Sequence, residues 1–216
     1  MHIILAGYSG LTGSSALAQL QAHQGVEKIY CVGRRPPEHD FKTEFVPLDN
    51  VKGEISSPEA TAVACCVETT MAKAGSKEAF RKVDYDIPVN LAKWTKQRAS
   101  RFVLMSSVGA NISTGNFYLK TKGETEAAVR EVFQGPVFVL RPSILLGPRK
   151  ENRFGERVGI ALGKIAAPLM FGKYGVYKPI KAEDVAAAMV NLATSDSSAP
   201  EVLHYDEIMR LARTTR

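Results

Sequence analysis

Tyr118 and Lys122 stand four residues apart, the spacing that brings two side chains onto one face of a helix. An ammonium beside a phenol lowers the phenol's proton affinity, and such a tyrosine can exchange a proton with a carbonyl oxygen. The spacing alone carries little weight. With 7 tyrosines and 15 lysines in 216 residues, roughly half a match arises by chance, and three occur: Tyr118/Lys122, Tyr174/Lys178 and Tyr177/Lys181. Context separates them, because Pro179 opposes a helix across the last two pairs. Tyr118 and Lys122 instead open a strong helical stretch, YLKTKGETEAAVREVF, one loop after an apolar run at 101–105. Ser106 and Ser107 close that run. A serine hydroxyl at the carboxyl end of a strand can hold a carbonyl against Tyr118, or simply satisfy the strand end.

A second constellation lies at the amino end. Gly7, Tyr8, Ser9, Gly10, Leu11, Thr12 and Gly13 follow an apolar run directly and open a helix. In that context Gly7 permits a tight turn, Gly10 lets the backbone approach a pyrophosphate, and Gly13 lets helix and strand pack closely. The helix amino end would then offer unpaired N–H groups to the phosphates. A glycine-rich turn without a ligand is the plainer reading of the same residues.

Which dinucleotide would fit is written at the end of the second apolar run, Val32-Gly33-Arg34-Arg35-Pro36. A site for NAD places a carboxylate there, on the ribose 2′-hydroxyl. Here two guanidiniums stand instead, and a fixed planar charge suits a 2′-phosphate. Taken alone, the pair reads equally as solvated surface arginines. Asp49 and Asn50, just past the third run, are placed to meet the adenine amino group or to make a turn.

These residues need a frame that brings strand ends together. Apolar runs at 2–6, 28–32, 43–48, 60–67, 101–105 and 136–140 alternate with helical stretches at 12–22, 77–97 and 118–133. Strand-helix alternation of this length predicts an α/β fold with a doubly wound parallel sheet, a Rossmann fold. Pro88 falls inside the 77–97 stretch and predicts a kink or a later start. Beyond Gly147 the pattern loosens. A helix is expected over 153–165, a loop at 172–175, an acid-capped helix over 182–193 and a short one over 206–212. The reading is one domain over 1–216, with about 148–216 forming a small substrate-side lobe. In that tail Phe154, Leu162, Met170, Phe171 and Tyr174 line an apolar pocket or form core.

Composition narrows the classes. Hydrophobic residues make up 45% and charged residues 23%, an ordinary globular balance, and no apolar run approaches the ~20 residues of a membrane span. The net charge of +6 and pI near 9.2 come from scattered Lys and Arg without a nucleic-acid motif, so no nucleic-acid partner is expected. Cys31, Cys65 and Cys66 have no metal-ligand spacing and read as buried reduced thiols. With no secretory pattern at the amino end, they predict a cytoplasmic protein.

Taken together, AGYSGLTG, GRR, KAGSKEAFRKVDYD, FVLMSSVGAN, FYLKTKGETEAAV and LRPSILLGPR, in this order, resemble the short-chain dehydrogenase/reductase superfamily. The resemblance is to its atypical, extended branch of small reductases related to the animal Tat-interacting protein, and it covers nearly the whole chain. It implies Tyr118 as general acid, Lys122 tuning it and holding the nicotinamide ribose, and Ser107 binding the carbonyl, with Ser106 beside it. It implies NADPH as cofactor, held also by Val67, Glu68 and Thr69 after the fourth run and by Pro142, Ser143 and Ile144 around the nicotinamide. Three positions depart from the pattern. Glu68 stands where a small residue is usual, the following helix has Asp84 near the place of its asparagine with Asn90 displaced, and only 11 residues separate Ser107 from Tyr118. The resemblance implies an NADPH-dependent oxidoreductase acting on a small carbonyl or quinone-like acceptor, as a monomer or homodimer. The alternative is an NADPH-sensing module without turnover.

Overall fold

The computed structural model describes residues 1–52, 58–147, 172–196 and 199–214. The apolar runs become β1 His2–Ala6, β2 Lys28–Gly33, β3 Thr43–Pro47, β4 Ala62–Cys65, β5 Phe102–Met105 and β6 Val137–Leu140. Further on come β7 Leu145–Leu146, β8 Ile180–Lys181 and β9 Val202–Leu203. Seven of these form one sheet in the order β3-β2-β1-β4-β5-β6-β9, every pairing parallel. Strand order reverses between β1 and β4, which opens a crevice at the carboxyl edge.

Parallel strands covered on both faces need apolar residues at successive positions, and β4 and β5 are buried throughout. Because successive side chains alternate faces, Ile3 and Leu5 enter one core while Ile4 and Ala6 enter the other. The first core is closed by α1 Leu11–Ala22, α6 Ala182–Thr194 and α7 Tyr205–Thr214. The second lies under α4 Ile87–Thr95 and α5 Phe117–Val132.

The helix expected over 77–97 runs unbroken over 77–95 but changes its winding midway. After the short α2 Met71–Ala74 come α3 Lys77–Arg81, a π-helical turn Lys82–Asp86, and then α4. Pro88 sits in the first turn of α4 and has no N–H to give the Asp84 carbonyl four residues back. The Thr125 hydroxyl supplies that donor from α5, at 2.9 Å. The proline thus shapes the backbone that carries Asp84.

The tail divides. β9 joins the main sheet, and α6 and α7 pack into its core, so much of 180–214 belongs to the central body rather than to a lobe. β7 and β8 pair as a separate two-stranded ribbon. The stretch expected as a loop at 172–175 is part of a 3-10 turn, Gly172–Tyr177, with Tyr174 57% exposed. The helix expected over 153–165, together with Phe154, Leu162, Met170 and Phe171, lies outside the described residues. Among the described residues no helix is long and apolar enough to cross a membrane.

Candidate active site

Gly7 adopts φ +80°, and a Cβ there would lie 2.5 Å from the Cys66 carbonyl carbon, so this position must be bare. At Gly13 a Cβ would fall 2.1 Å from the Gly7 carbonyl oxygen. These two glycines press the turn, the end of β4 and the start of α1 together. Gly10 caps α1 with no side chain, and the first turn holds no acidic residue. Thr12 in that turn is buried, and its hydroxyl has no hydrogen-bond partner among the described residues. A helix end left uncapped, with a positive dipole and a spare buried hydroxyl, fits a phosphate group. Ser9 is exposed and Leu11 half-buried beside it.

Tyr8 does a different job from its neighbours. Its ring is buried, and its hydroxyl donates to the Arg35 carbonyl across the loop. Gly33 makes room, since a Cβ there would meet the Tyr8 oxygen at 2.7 Å. Burial, reinforced by Cys31, raises the phenol's proton affinity, so Tyr8 stays a donor. It is a strut joining the glycine turn to the end of β2. Arg34 and Arg35 follow that end, both exposed. Asp49 (exposed) and Asn50 (half-buried) lie in the 3-10 turn Leu48–Lys52 after β3, whose Pro47 is opposite Gly33. All four residues therefore share the carboxyl edge with the glycine turn.

Across the crevice, Asn116 caps α5 by accepting the Leu119 N–H at 3.1 Å, and one face of that helix carries Tyr118 and Lys122. Lys122 is 3% exposed and lies among carboxylates: 2.8 Å from Asp84 and 3.9 Å from Glu68. Its ammonium lies 5.8 Å from the centre of the Tyr118 ring. Burial alone would strip its proton, but Glu68 and Asp84 more than offset that and hold the ammonium above its ordinary range. For Asp84, burial raises the carboxyl, while Lys122 and the Thr69 N–H, which donates at 2.9 Å, act to keep it ionised.

Tyr118 donates its hydroxyl to Glu68 at 3.1 Å. Burial pushes the phenol up to about 12; Lys122 and a hydrogen bond from Ser107 pull it down, and the Glu68 carboxylate pushes it up again. Glu68 therefore turns inward, onto the tyrosine and the lysine. The departure noted in the sequence is part of the site.

Ser106 and Ser107 part company. The Ser107 hydroxyl donates to the Val108 carbonyl at 3.4 Å and lies where it lowers the proton affinity of Tyr118, whereas the buried Ser106 donates to Glu126. Glu126 is itself buried and paired with Arg141 through two hydrogen bonds, one of 2.9 Å to its Nε. Ser106 thus braces β5 against α5 and β6, and its side chain is committed inside the fold. Between β6 and β7, the Pro142 carbonyl accepts from the Val108 N–H at 2.9 Å and the Ile144 carbonyl from the Ile180 N–H at 3.0 Å. The Ser143 hydroxyl donates to the Lys178 carbonyl, and Ile144 is largely exposed. Val67 is half-buried at the end of β4.

In the sequence Asp84 figures only as a departure, near the place of the family's asparagine, and Glu126 does not figure at all. Glu126 was accessible there, because Tyr118, Lys122 and Glu126 recur every four residues on one helix face. The signal for Asp84 is its place near the family's asparagine, with a proline four residues ahead. The three cysteines are buried and unpaired; burial pushes Cys65 up to about 11 and Cys31 to about 12, so neither is a reactive thiolate. A shallow depression of about 620 Å³ lined by His2, Glu27, Glu59 and Arg98 lies at the opposite, amino edge.

The parallel sheet, its glycine turn and the Tyr-Lys face define a Rossmann-type α/β protein with the fold of the short-chain dehydrogenases and epimerases. Two solved structures illustrate the likeness. One is the human epimerase family protein SDR39U1 with NADPH (TM-score 0.65, 16% identity, 90% of this chain and 70% of that one). The other is the Bordetella bronchiseptica enzyme WbmF with NADH (TM-score 0.68, 17% identity, 99% and 75%). No family model matches the chain. Curated relatives are closer. The mitochondrial protein FMP52 of Candida albicans is 34% identical over 205 residues, covering 89% of this chain and 88% of its own. That of Kluyveromyces lactis is 33% identical over 224 residues, covering 98% and 99%. The chain belongs to the FMP52 family. The relatives' names overturn the cytoplasmic expectation, since they are mitochondrial proteins. Reduced, buried thiols mark a reducing environment and do not distinguish one such compartment from another.

Proposed function

We propose that the chain is an NADPH-dependent oxidoreductase of the short-chain dehydrogenase/reductase type, reducing a small carbonyl or quinone-like acceptor. We further propose that it works in mitochondria, as the names of its relatives state of them. The observation that carries the reading is the pairing of Tyr118 and Lys122 across the crevice from an uncapped α1 and its glycine turn. The residues present fit a dinucleotide: Gly7, Gly10, Gly13 and the spare Thr12 hydroxyl for the pyrophosphate, Arg34 and Arg35 for a 2′-phosphate, Asp49 and Asn50 for the adenine. Val67, Thr69, Pro142, Ser143 and Ile144 would flank the nicotinamide end. When bound, the cofactor supplies hydride. Tyr118 gives the proton to the acceptor oxygen, Ser107 orients that oxygen, and Lys122 holds the ribose and fixes the charge around the phenol.

A second reading has its own support. Glu68 and Asp84 already occupy Lys122, and Glu68 already accepts from Tyr118, an arrangement that suits a module binding NADPH without turnover. Calorimetry with NADPH and NADH, followed by NADPH oxidation over a panel of carbonyls and quinones, separates the two. The enzyme reading expects tighter NADPH binding and turnover that falls about 10²–10⁴-fold in Tyr118→Phe, with cofactor affinity kept. NADPH binding with no turnover on any acceptor would favour the sensor.

A further inference from the structure

The surroundings of Tyr118 are unusual in their balance of charge. Lys122 lies one turn along α5, Glu68 comes from the loop after β4, and Asp84 of the π-turn faces the lysine from below. The Ser107 hydroxyl, which donates to the Val108 carbonyl, also lowers the phenol's proton affinity, and the apolar Phe80 packs edge-on against the ring at 5.8 Å. One ammonium thus stands against two carboxylates. With Asp84 alone, the charge of Lys122 would be neutralised. With Glu68 added, the cluster is negative and the phenolic hydrogen has a carboxylate to point at.

We infer that Glu68 is a positioning residue for the Tyr118 proton: its carboxylate accepts the phenolic hydrogen and offsets the Lys122 charge, keeping Tyr118 a proton donor. The inference rests on the role of Tyr118 proposed above. In the reduction a hydride from the nicotinamide forms the C–H bond, and the C=O π bond breaks. The acceptor oxygen takes the Tyr118 proton, and the phenolate regains one from solvent. A phenolate beside Glu68 is repelled, so the protonated state is restored and persists to alkaline pH. Reduction therefore keeps its rate as pH rises, and the reverse reaction, which needs the phenolate, sets in only at higher pH. Glu68 is half-exposed at the crevice, placed to pass that proton between solvent and phenol.

The sign of the effect is fixed. Removing a negative neighbour favours the phenolate, so Glu68→Gln, which keeps a hydrogen-bond acceptor, lowers the pH at which Tyr118 ionises. Tyrosinate absorbance is titrated on the full chain, with the Tyr118→Phe titration subtracted to isolate Tyr118, over the pH range in which circular dichroism shows every variant folded. The expected result is a Tyr118 midpoint about one pH unit or more lower in Glu68→Gln than in the wild type, with Glu68→Asp, which restores the charge, returning toward it. The alkaline limb of kcat/KM for carbonyl reduction moves down with it. Coincident titrations of the wild type and Glu68→Gln overturn the inference, whatever the activity. The titration needs no turnover, so an enzyme that reduces no acceptor defeats the proposed function without touching this result. Because Lys122 keeps Asp84 at 2.8 Å in Glu68→Gln, the variant is expected to fold.

Discussion

The two walls of the crevice are built on opposite principles. The α1 wall works by what is missing: three glycines, no capping side chain and no acidic residue in the first turn. The α5 wall works by what is crowded together: Lys122, Asp84, Glu126 and Arg141 buried or nearly so, with Tyr118 and Glu68 at their edge. A backbone cradle costs the fold little beyond the entropy of its glycines. A cluster of buried charges is stable only when complete, because a lone ion out of water is severely penalised. The first wall can thus bind an anion without being tuned, whereas the second must be assembled correctly before it can do acid-base chemistry.

That contrast can be broken by substitution. The largest loss is expected at Asp84→Ala, which leaves the buried Lys122 with Glu68 at 3.9 Å as its one carboxylate among the described residues. Chemical denaturation should show a loss of about 3–5 kcal/mol, and a cost below that of a glycine-turn variant would show that the cluster is not the interdependent half. Gly13→Ala comes next. Its Cβ must displace the Gly7 carbonyl, a backbone atom, so about 1–3 kcal/mol of stability should be lost, together with most NADPH affinity in calorimetry. Retained affinity would mean that the cradle is not where the phosphates lie. The smallest effect on the fold belongs to Arg34→Ala, at an exposed position. Melting should show a change within about 0.5 kcal/mol, while NADPH affinity falls about tenfold and NADH affinity stays the same. An equal loss for both cofactors would remove the case for a 2′-phosphate site.

The same contrast explains what could be read in advance. The glycine turn is local, and each bare position is required by an atom in the adjoining turn or strand, so residue type and order alone expose it. The strands were equally open, since burial on both faces writes itself as unbroken runs such as Val63-Ala64-Cys65. The cluster was not. Glu68 and Tyr118 are 50 residues apart, and no periodicity joins a loop after β4 to a helix after β5. In the sequence Glu68 is only a departure where a small residue is usual; its turn toward Tyr118 follows from the positive charge of Lys122. Ser106 and Ser107 are indistinguishable by type, and only the path of the chain just past β5 buries one on Glu126 and leaves the other half-buried, on the Val108 carbonyl. The 77–97 helix and an irregularity near Pro88 are legible, but the π-turn itself is not, because the apolar spacing carries across it and a proline is also tolerated in a first turn.

The π-turn at Lys82–Asp86 bears on how such a chain can vary. A π-turn is one residue inserted into an α-helix, and each residue advances a helix by about 100°. The segments before and after it are therefore out of phase. Phe80 is set against Tyr118 by one phase, Leu91 and Ala92 are set into the core by the other, and Asp84 meets Lys122 in the overlap. Losing Lys82, Val83, Tyr85 or Asp86 would leave a regular helix and turn the segments on either side by about 100° relative to each other, a little over a quarter turn. The site is therefore guarded by the length of the chain at that point as much as by the identity of its residues.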